Sequence, residues 1–344
     1  EGLTEEGGVP VRRFAADKRD AQRFDDVNLK LMHHNLITPS EEYIYIKEMV
    51  NSTKLYQYIR THQEEYSWFI TMPYMFGTTY YSIEACPEKA VMIPCLHDET
   101  YAYLNIYRRT FNKVRGMMFL SQPESDLAYR LYGLIHTKTL VLGAGVETQL
   151  VGDADRFRRS HHLEDPFILY AGRKDPGKNA DMLVRYFTEY KKRNRDNLKL
   201  VLVGGGKLSI PSRFRNDILD LGFLSQQDKT DAYAACELLC QPSFFESFSL
   251  VIMESWLNRR PVLVHDACAV TKNFANVSHG GLYFRNYLEF EGCVRYLTTH
   301  KETAAAMGEA GREFVLSNFA WDIVIGKLMD FLTGLEQKQE EQHD

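Results

Sequence analysis

No two of the six cysteines in this 344-residue chain stand in Cys-x-x-Cys spacing. Cys86, Cys95, Cys236, Cys240, Cys268 and Cys293 therefore signal neither a zinc site nor a dithiol redox motif. They sit mostly among apolar neighbours and read as free buried thiols in a reducing cytoplasm. No apolar run approaches the roughly 20 residues that span a bilayer. No secretory-signal pattern is visible. Neither sign of charge dominates: 41 Lys and Arg stand against 46 Asp and Glu, a net charge of −5. That balance recommends no polyanion, so no nucleic-acid partner is expected. The Gly-x-Gly-x-x-Gly dinucleotide fingerprint is also missing. Asp153-Ala154-Asp155 has the spacing of an Asp-x-Asp metal motif, but it falls in a polar stretch, 152–165, that reads as a linker. It is taken as a solvated turn, and no metal site is expected.

What is present is a rhythm. At about 150 residues per domain the length suits two domains, each able to bury a core. Short apolar runs alternate with amphipathic stretches, the pattern of a parallel sheet flanked by helices. In the first half, Ser67–Met72, Ala90–Cys95, Val114–Ser121 and Thr137–Leu142 read as strands. Val9–Phe14 reads as a short strand, and Lys18–Leu36 and Tyr101–Lys113 as helices. Arg12, Arg13, Lys18, Arg19 and Arg23 form a basic cluster, which reads first as a solvated face and second as a membrane-surface contact. The rhythm resets near Gly143–Leu150. Strands then follow at Phe167–Ala171, Leu198–Val203, Leu238–Gln241 and Pro261–Val264, with helices over Asn179–Asn194 and Ser249–Asn258. A closing helix over Ile323–Leu335 precedes a charged, frayed tail, Glu336–Asp344. The domains expected are 1–148 and 149–322, with 323–344 as helix and tail. Both are expected to be doubly wound, with a cleft between them as the ligand site.

The chemistry concentrates in the second half. Arg173 and Lys178 flank a turn at the carboxyl end of Phe167–Ala171, where open α/β sheets bind ligands. Arginine offers phosphate a planar fork and lysine a mobile point charge. Gly204-Gly205-Gly206 ends the next strand, where glycine permits close backbone approach. Pro242-Ser243-Phe244-Phe245-Glu246-Ser247-Phe248-Ser249 leads into an apolar helix. A helix N-terminus offers unpaired amides and partial positive charge. Glu246 lies on that loop, and Glu254 lies in the apolar helix, where a buried carboxylate needs partners. His265 and His279 read as structural histidines near the same rim.

Together, Gly172-Arg173-x4-Lys178, the strand ending in glycines, Pro242-Ser243-x-x-Glu246-x7-Glu254 and Arg260-Pro261-Val262 resemble the retaining glycosyltransferases of family four, glycosyl transferases group 1. His97-Asp98, Phe119-Leu120-Ser121, Gly143-Ala144-Gly145-Val146-Glu147 and Phe319-Ala320-Trp321 extend the resemblance across nearly the whole chain. It implies the α/β GT-B fold: two doubly wound Rossmann-like domains facing a cleft, a first for the acceptor and a second for the nucleotide-sugar donor. It also implies a metal-independent enzyme that moves a sugar from a UDP- or GDP-linked donor to a saccharide or lipid-linked acceptor. The setting would be polysaccharide, glycolipid or glycoconjugate synthesis in the cytoplasm, with peripheral contact at the inner membrane face left open. No cofactor beyond the donor substrate is implied. Arg173 and Lys178 would hold the diphosphate, Glu246 the donor sugar and Glu254 the ribose. His97 would reach the donor sugar or phosphate. Phe248, Ser249 and Leu250 would present backbone to the donor, and Gly205 would lie near the nucleotide.

The sequence departs from that family at three places. Ser247 and Ser249 stand where the family has glycines, which narrows the loop and bears on sugar choice. Arg259 replaces a helix-ending glycine, with Asn258 expected to take the left-handed cap instead. The opening strand and glycine-rich loop of the first domain are not found, so its front is expected to be missing from this chain. Two other functions remain open: a sugar-nucleotide epimerase on the same fold, and a nucleotide-binding but inactive module.

Overall fold

The structure, a computed structural model, describes residues 2–340. It divides into two compact units, Glu1–Leu142 with Lys327–Asp344, and Gly143–Gly326. No helix among the described residues is long and apolar enough to cross a membrane.

The chain opens with a hairpin of β1 (Gly2–Glu6) and β2 (Val9–Arg13), paired antiparallel and largely exposed. Gly7 and Gly8 both take positive φ, as a two-residue hairpin turn requires. Val9–Phe14 therefore belongs to this hairpin and not to the main sheet. That sheet holds β3 (Phe69–Thr71), β4 (Ala90–Met92), β5 (Gly116–Phe119) and β6 (Lys138–Val141), all parallel and in chain order. β4 and β5 are wholly buried, which explains their unbroken apolar runs. The helix expected over 18–36 is confined to Ala21–Met32. Asp20 caps its start by accepting from the Arg23 amide at 3.1 Å, and His34 takes a left-handed φ of 56° just beyond its end. The helix expected over 101–113 is broken at Leu104 into a 3-10 turn, Thr100–Tyr103, and a helix, Asn105–Phe111.

The second unit carries a six-stranded parallel sheet: β7 (Phe167–Ala171), β8 (Lys199–Val203), β9 (Ile218–Gly222), β10 (Leu238–Gln241), β11 (Val262–His265) and β12 (Gly281–Phe284). Their spatial order is β12-β11-β10-β7-β8-β9. The chain therefore winds outward from β7 through β8 to β9, returns to the other side of β7 at β10, and winds outward again. The stretch 152–165 is not a linker. It forms the helix Ala154–His161, and Asp153 caps it by accepting from the Arg156 amide at 2.9 Å. The closing helix, Trp321–Glu340, is longer at both ends than expected. It begins in the second unit and ends in the first, where Phe331 and Leu335 fill the space beside Gly116. The rest of the expected frayed tail, 341–344, lies outside the described residues.

Candidate active site

In an open parallel sheet, ligands bind beyond the carboxyl ends of the strands, where the winding direction reverses. In the second unit that point lies between β7 and β10. The loop after β7 carries Arg173 and Lys178; the loop after β10 carries Glu246. Three hydrogen bonds join the two loops. Lys178 Nζ donates to Glu246 Oε1 at 2.6 Å, the Phe244 amide donates to the Gly177 carbonyl at 3.3 Å, and Asn179 Nδ2 donates to the Pro242 carbonyl at 3.2 Å.

Gln241, at the end of β10, donates from Nε2 to the same Glu246 oxygen at 3.0 Å and to Ser243 Oγ at 3.1 Å. The Glu246 side chain is only 9% exposed. Its Oε1 thus has two donors, while its Oε2 takes none among the described residues and keeps its accepting capacity. Arg173 lies apart from this cluster. Its side chain is 78% exposed and its Nε stands 3.4 Å from Asp175 Oδ2.

The glycine turn after β8 has a structural cause that sequence reasoning did not anticipate. A Cβ at Gly204, where φ is 119°, would strike the Gly172 carbonyl, and one at Gly206 would crowd Lys174. Lys174 is the missed residue. Its side chain is 1% exposed, and Nζ donates to the Gly204 carbonyl at 2.6 Å and to Asp220 Oδ1 at 2.5 Å. A buried lysine requires such partners. Gly205 is packed against the Phe223 ring on the side where a Cβ would stand.

The helix Leu250–Leu257 starts at this loop. Phe248 is buried, its ring meeting Phe274 and Phe319 edge-on, so it can offer a ligand only its backbone. Ser249 takes a left-handed φ of 82°, and its Oγ is buried without a partner. Instead of capping the helix, this serine occupies a backbone conformation suited to glycine. Leu250 is half-exposed. Glu254 has both oxygens engaged: Lys229 Nζ donates to Oε1 at 2.7 Å and the Tyr233 hydroxyl to Oε2 at 2.8 Å. It borders a cavity of about 230 Å³ lined also by Gln226, Thr230 and Trp321. At the helix end, Arg259 and not Asn258 takes the left-handed conformation, with φ 56°. His265 accepts at Nδ1 from the Ala267 amide at 3.1 Å, and burial pushes its pKa down, so it is held neutral. It sits edge-on between the Phe244 and Phe284 rings, a structural position. His279 closes a helix in the left-handed conformation.

In the first unit His97 follows β4, with Nδ1 3.6 Å from Glu99 Oε1. Glu124, which no motif in the sequence marks, is 1% exposed. Its carboxylate accepts from the Leu96 amide and from the Leu120 amide, both at 2.6 Å. It thereby ties together the loops that follow β4 and β5 and fixes the backbone next to His97. Burial pushes its pKa up to about 8 despite these donors.

Residues 152–314 match the family model of glycosyl transferases group 1. That match covers just under half of the chain. A D-inositol 3-phosphate glycosyltransferase from Stackebrandtia nassauensis is 28% identical over 188 residues, 49% of this chain and 42% of that protein. The chain spans about a third to a half of the length of the curated relatives it matches. Among solved structures, sucrose-phosphate synthase from Thermosynechococcus elongatus superposes with a TM-score of 0.71 at 15% identity, covering 100% of this chain and 86% of that one. HepE from Anabaena, solved in complex with UDP-glucose, superposes with a TM-score of 0.67 at 13% identity, covering 94% and 98%. The fold is GT-B. Within the matched residues lie Arg173, Lys178, Gly205, Glu246, Phe248, Ser249, Leu250 and Glu254; His97 lies outside them.

Proposed function

We propose that this chain is a retaining glycosyltransferase. It moves a sugar from a nucleotide-diphosphate sugar, UDP- or GDP-linked, to a hydroxyl of a saccharide or lipid-linked acceptor, in the synthesis of a polysaccharide, glycolipid or glycoconjugate. The observation that carries this reading is the Lys178–Glu246 pair at the switch point of the second unit's sheet. A cation and a carboxylate with an unused oxygen suit a ligand that has a diphosphate at one end and sugar hydroxyls at the other.

In the reaction the bond from the anomeric carbon to the diphosphate oxygen breaks, and its electron pair leaves with the nucleotide diphosphate. The acceptor oxygen bonds to the same carbon on the same face, and the acceptor proton passes to the departing phosphate oxygen. Negative charge grows on the leaving group. Arg173, Lys178 and the amides of Phe248, Ser249 and Leu250 would meet it, so no metal is called for. Glu246 would accept donor-sugar hydroxyls, Glu254 the ribose diol, and backbone at Gly205 would pass the nucleotide. His97 would contact the donor sugar or phosphate. The reaction takes place in the cytoplasm, where the acceptor is held free or at the inner face of a membrane.

The test is NMR of the first-formed product from an α-linked donor, with EDTA present. An α-linkage at undiminished rate is expected. A β-linked product would overturn the retaining assignment, and activity restored only by added magnesium or manganese would overturn the metal-free one. Donor epimerised without acceptor would replace the transferase by an epimerase. Nucleotide binding without turnover on any acceptor would leave a binding module.

A further inference from the structure

The second unit has another cavity, of about 790 Å³, at the opposite end of helix Leu250–Leu257 from the donor loop. Its walls come from residues 148–154, from the end of that helix and from helix Lys301–Asn318. The charged side chains lining it are Arg259, Arg260, Arg312 and a single carboxylate, Glu309. Glu309 is divided between two of the arginines: Oε2 accepts from Arg259 Nε at 2.6 Å, and Oε1 accepts from Arg312 Nη1 at 3.4 Å. Arg260 has no carboxylate partner among the described residues. Its Nη2 donates to the Ala234 carbonyl, and its Nε is buried without a partner. The lining thus carries an excess of positive charge within a chain of net charge −5. Ala234, Ala305 and Ala306 leave the space open.

Cations just past a helix end offset its dipole, which accounts for Arg259 and Arg260. It does not account for Arg312, which reaches the same cavity from a different helix. Converging guanidinium forks that share too few carboxylates match the oxygens of phosphate. The volume lies in the usual range for small ligands, about 300–1,000 Å³. From these observations we infer that the cavity binds a small phosphate-bearing anion, of the size of a sugar phosphate or nucleotide. Helix Leu250–Leu257 separates this site from the donor loop by about 12 Å, so one ligand phosphate cannot serve both.

The test is calorimetric titration of inorganic pyrophosphate into the full chain carrying Lys178→Ala, which weakens binding at the donor loop. Binding should persist there. Adding Arg312→Gln should weaken it by about tenfold or more, and adding Ala306→Trp, which fills the space without altering charge, should abolish it. Circular dichroism checks that each variant folds. No binding to Lys178→Ala would overturn the inference, and so would equal affinity in all three proteins. Vesicles of phosphatidylglycerol in phosphatidylcholine distinguish the source of the phosphate. If vesicle binding falls with the same two substitutions, the ligand is a lipid headgroup. If only pyrophosphate binding falls, it is a free phosphate compound.

Discussion

Lys178 donates from Nζ to Glu246 Oε1 at 2.6 Å, joining two loops that are 68 residues apart in the sequence. Each residue holds its partner's charge in place where both would otherwise be partly buried and unpaired. The pair is therefore part of the fold as well as of the proposed site, and its two roles separate experimentally.

Lys178→Ala should lower kcat/KM by on the order of 10²–10³, the usual loss when one stabiliser of a developing anion is removed. It should also destabilise the protein, because Glu246 keeps only Gln241 as a partner. Arg173→Ala should cost turnover similarly while leaving the free energy of urea unfolding within about 0.5 kcal/mol of wild type, since its side chain is mostly exposed. Unchanged turnover in both variants would remove the diphosphate assignment.

Glu254 is already engaged by Lys229 and Tyr233, yet each carboxylate oxygen has a second lone pair to offer. If it holds the ribose diol, Glu254→Gln should weaken nucleoside diphosphate binding by roughly tenfold. A 2′,3′-dideoxy nucleotide should lose much less. Equal losses for the two ligands would reduce Glu254 to a brace between helices Gln226–Ala235 and Leu250–Leu257.

Glu124 predicts a pH dependence. Its pKa is raised from the ordinary 4.5 to about 8 in the folded chain. The folded state therefore binds its proton more tightly than the unfolded state does. That contribution to stability is complete below about pH 4.5 and is lost as pH rises through 8. Glu124→Gln removes it. The stability difference between wild type and variant should shift against wild type across that interval, by up to about 1.4 kcal/mol per pH unit. Parallel urea-denaturation profiles for the two proteins would show that Glu124 does not titrate there.

Ser249→Gly should stabilise the chain by about 1–2 kcal/mol. It removes a non-glycine residue from a left-handed conformation and deletes a buried, unpaired hydroxyl. Ser249→Ala keeps the backbone penalty and should gain less. Equal gains in thermal denaturation would assign the whole effect to the hydroxyl, and no gain in either variant would refute the strain.

The sequence by itself determined what local pattern can encode. The apolar runs of β7 and β10 are legible because both strands are buried on both faces. The spacing of Arg173, Lys178, Glu246 and Glu254 is legible because it lies within single loops and one helix. β9 and β12 escape such a reading because they are the two edges of the six-stranded sheet. Most of their side chains are only partly buried, and their apolar runs are short: Asp220 interrupts β9, and β12 offers only Leu282, Tyr283 and Phe284. The helix Ala154–His161 escapes because Phe157 is its one buried residue, so its polar sequence resembles a linker. Only the tertiary structure decided which distant groups meet: Lys178 with Glu246, Lys174 with the glycine turn, Glu124 with the amides of two loops, and Glu254 with Lys229 and Tyr233. Apart from Leu120, four residues before Glu124, chain folding brings these partners together from far apart in sequence, and burial then makes each hydrogen bond obligatory, because an unpaired polar group in those positions would cost more than the contact contributes.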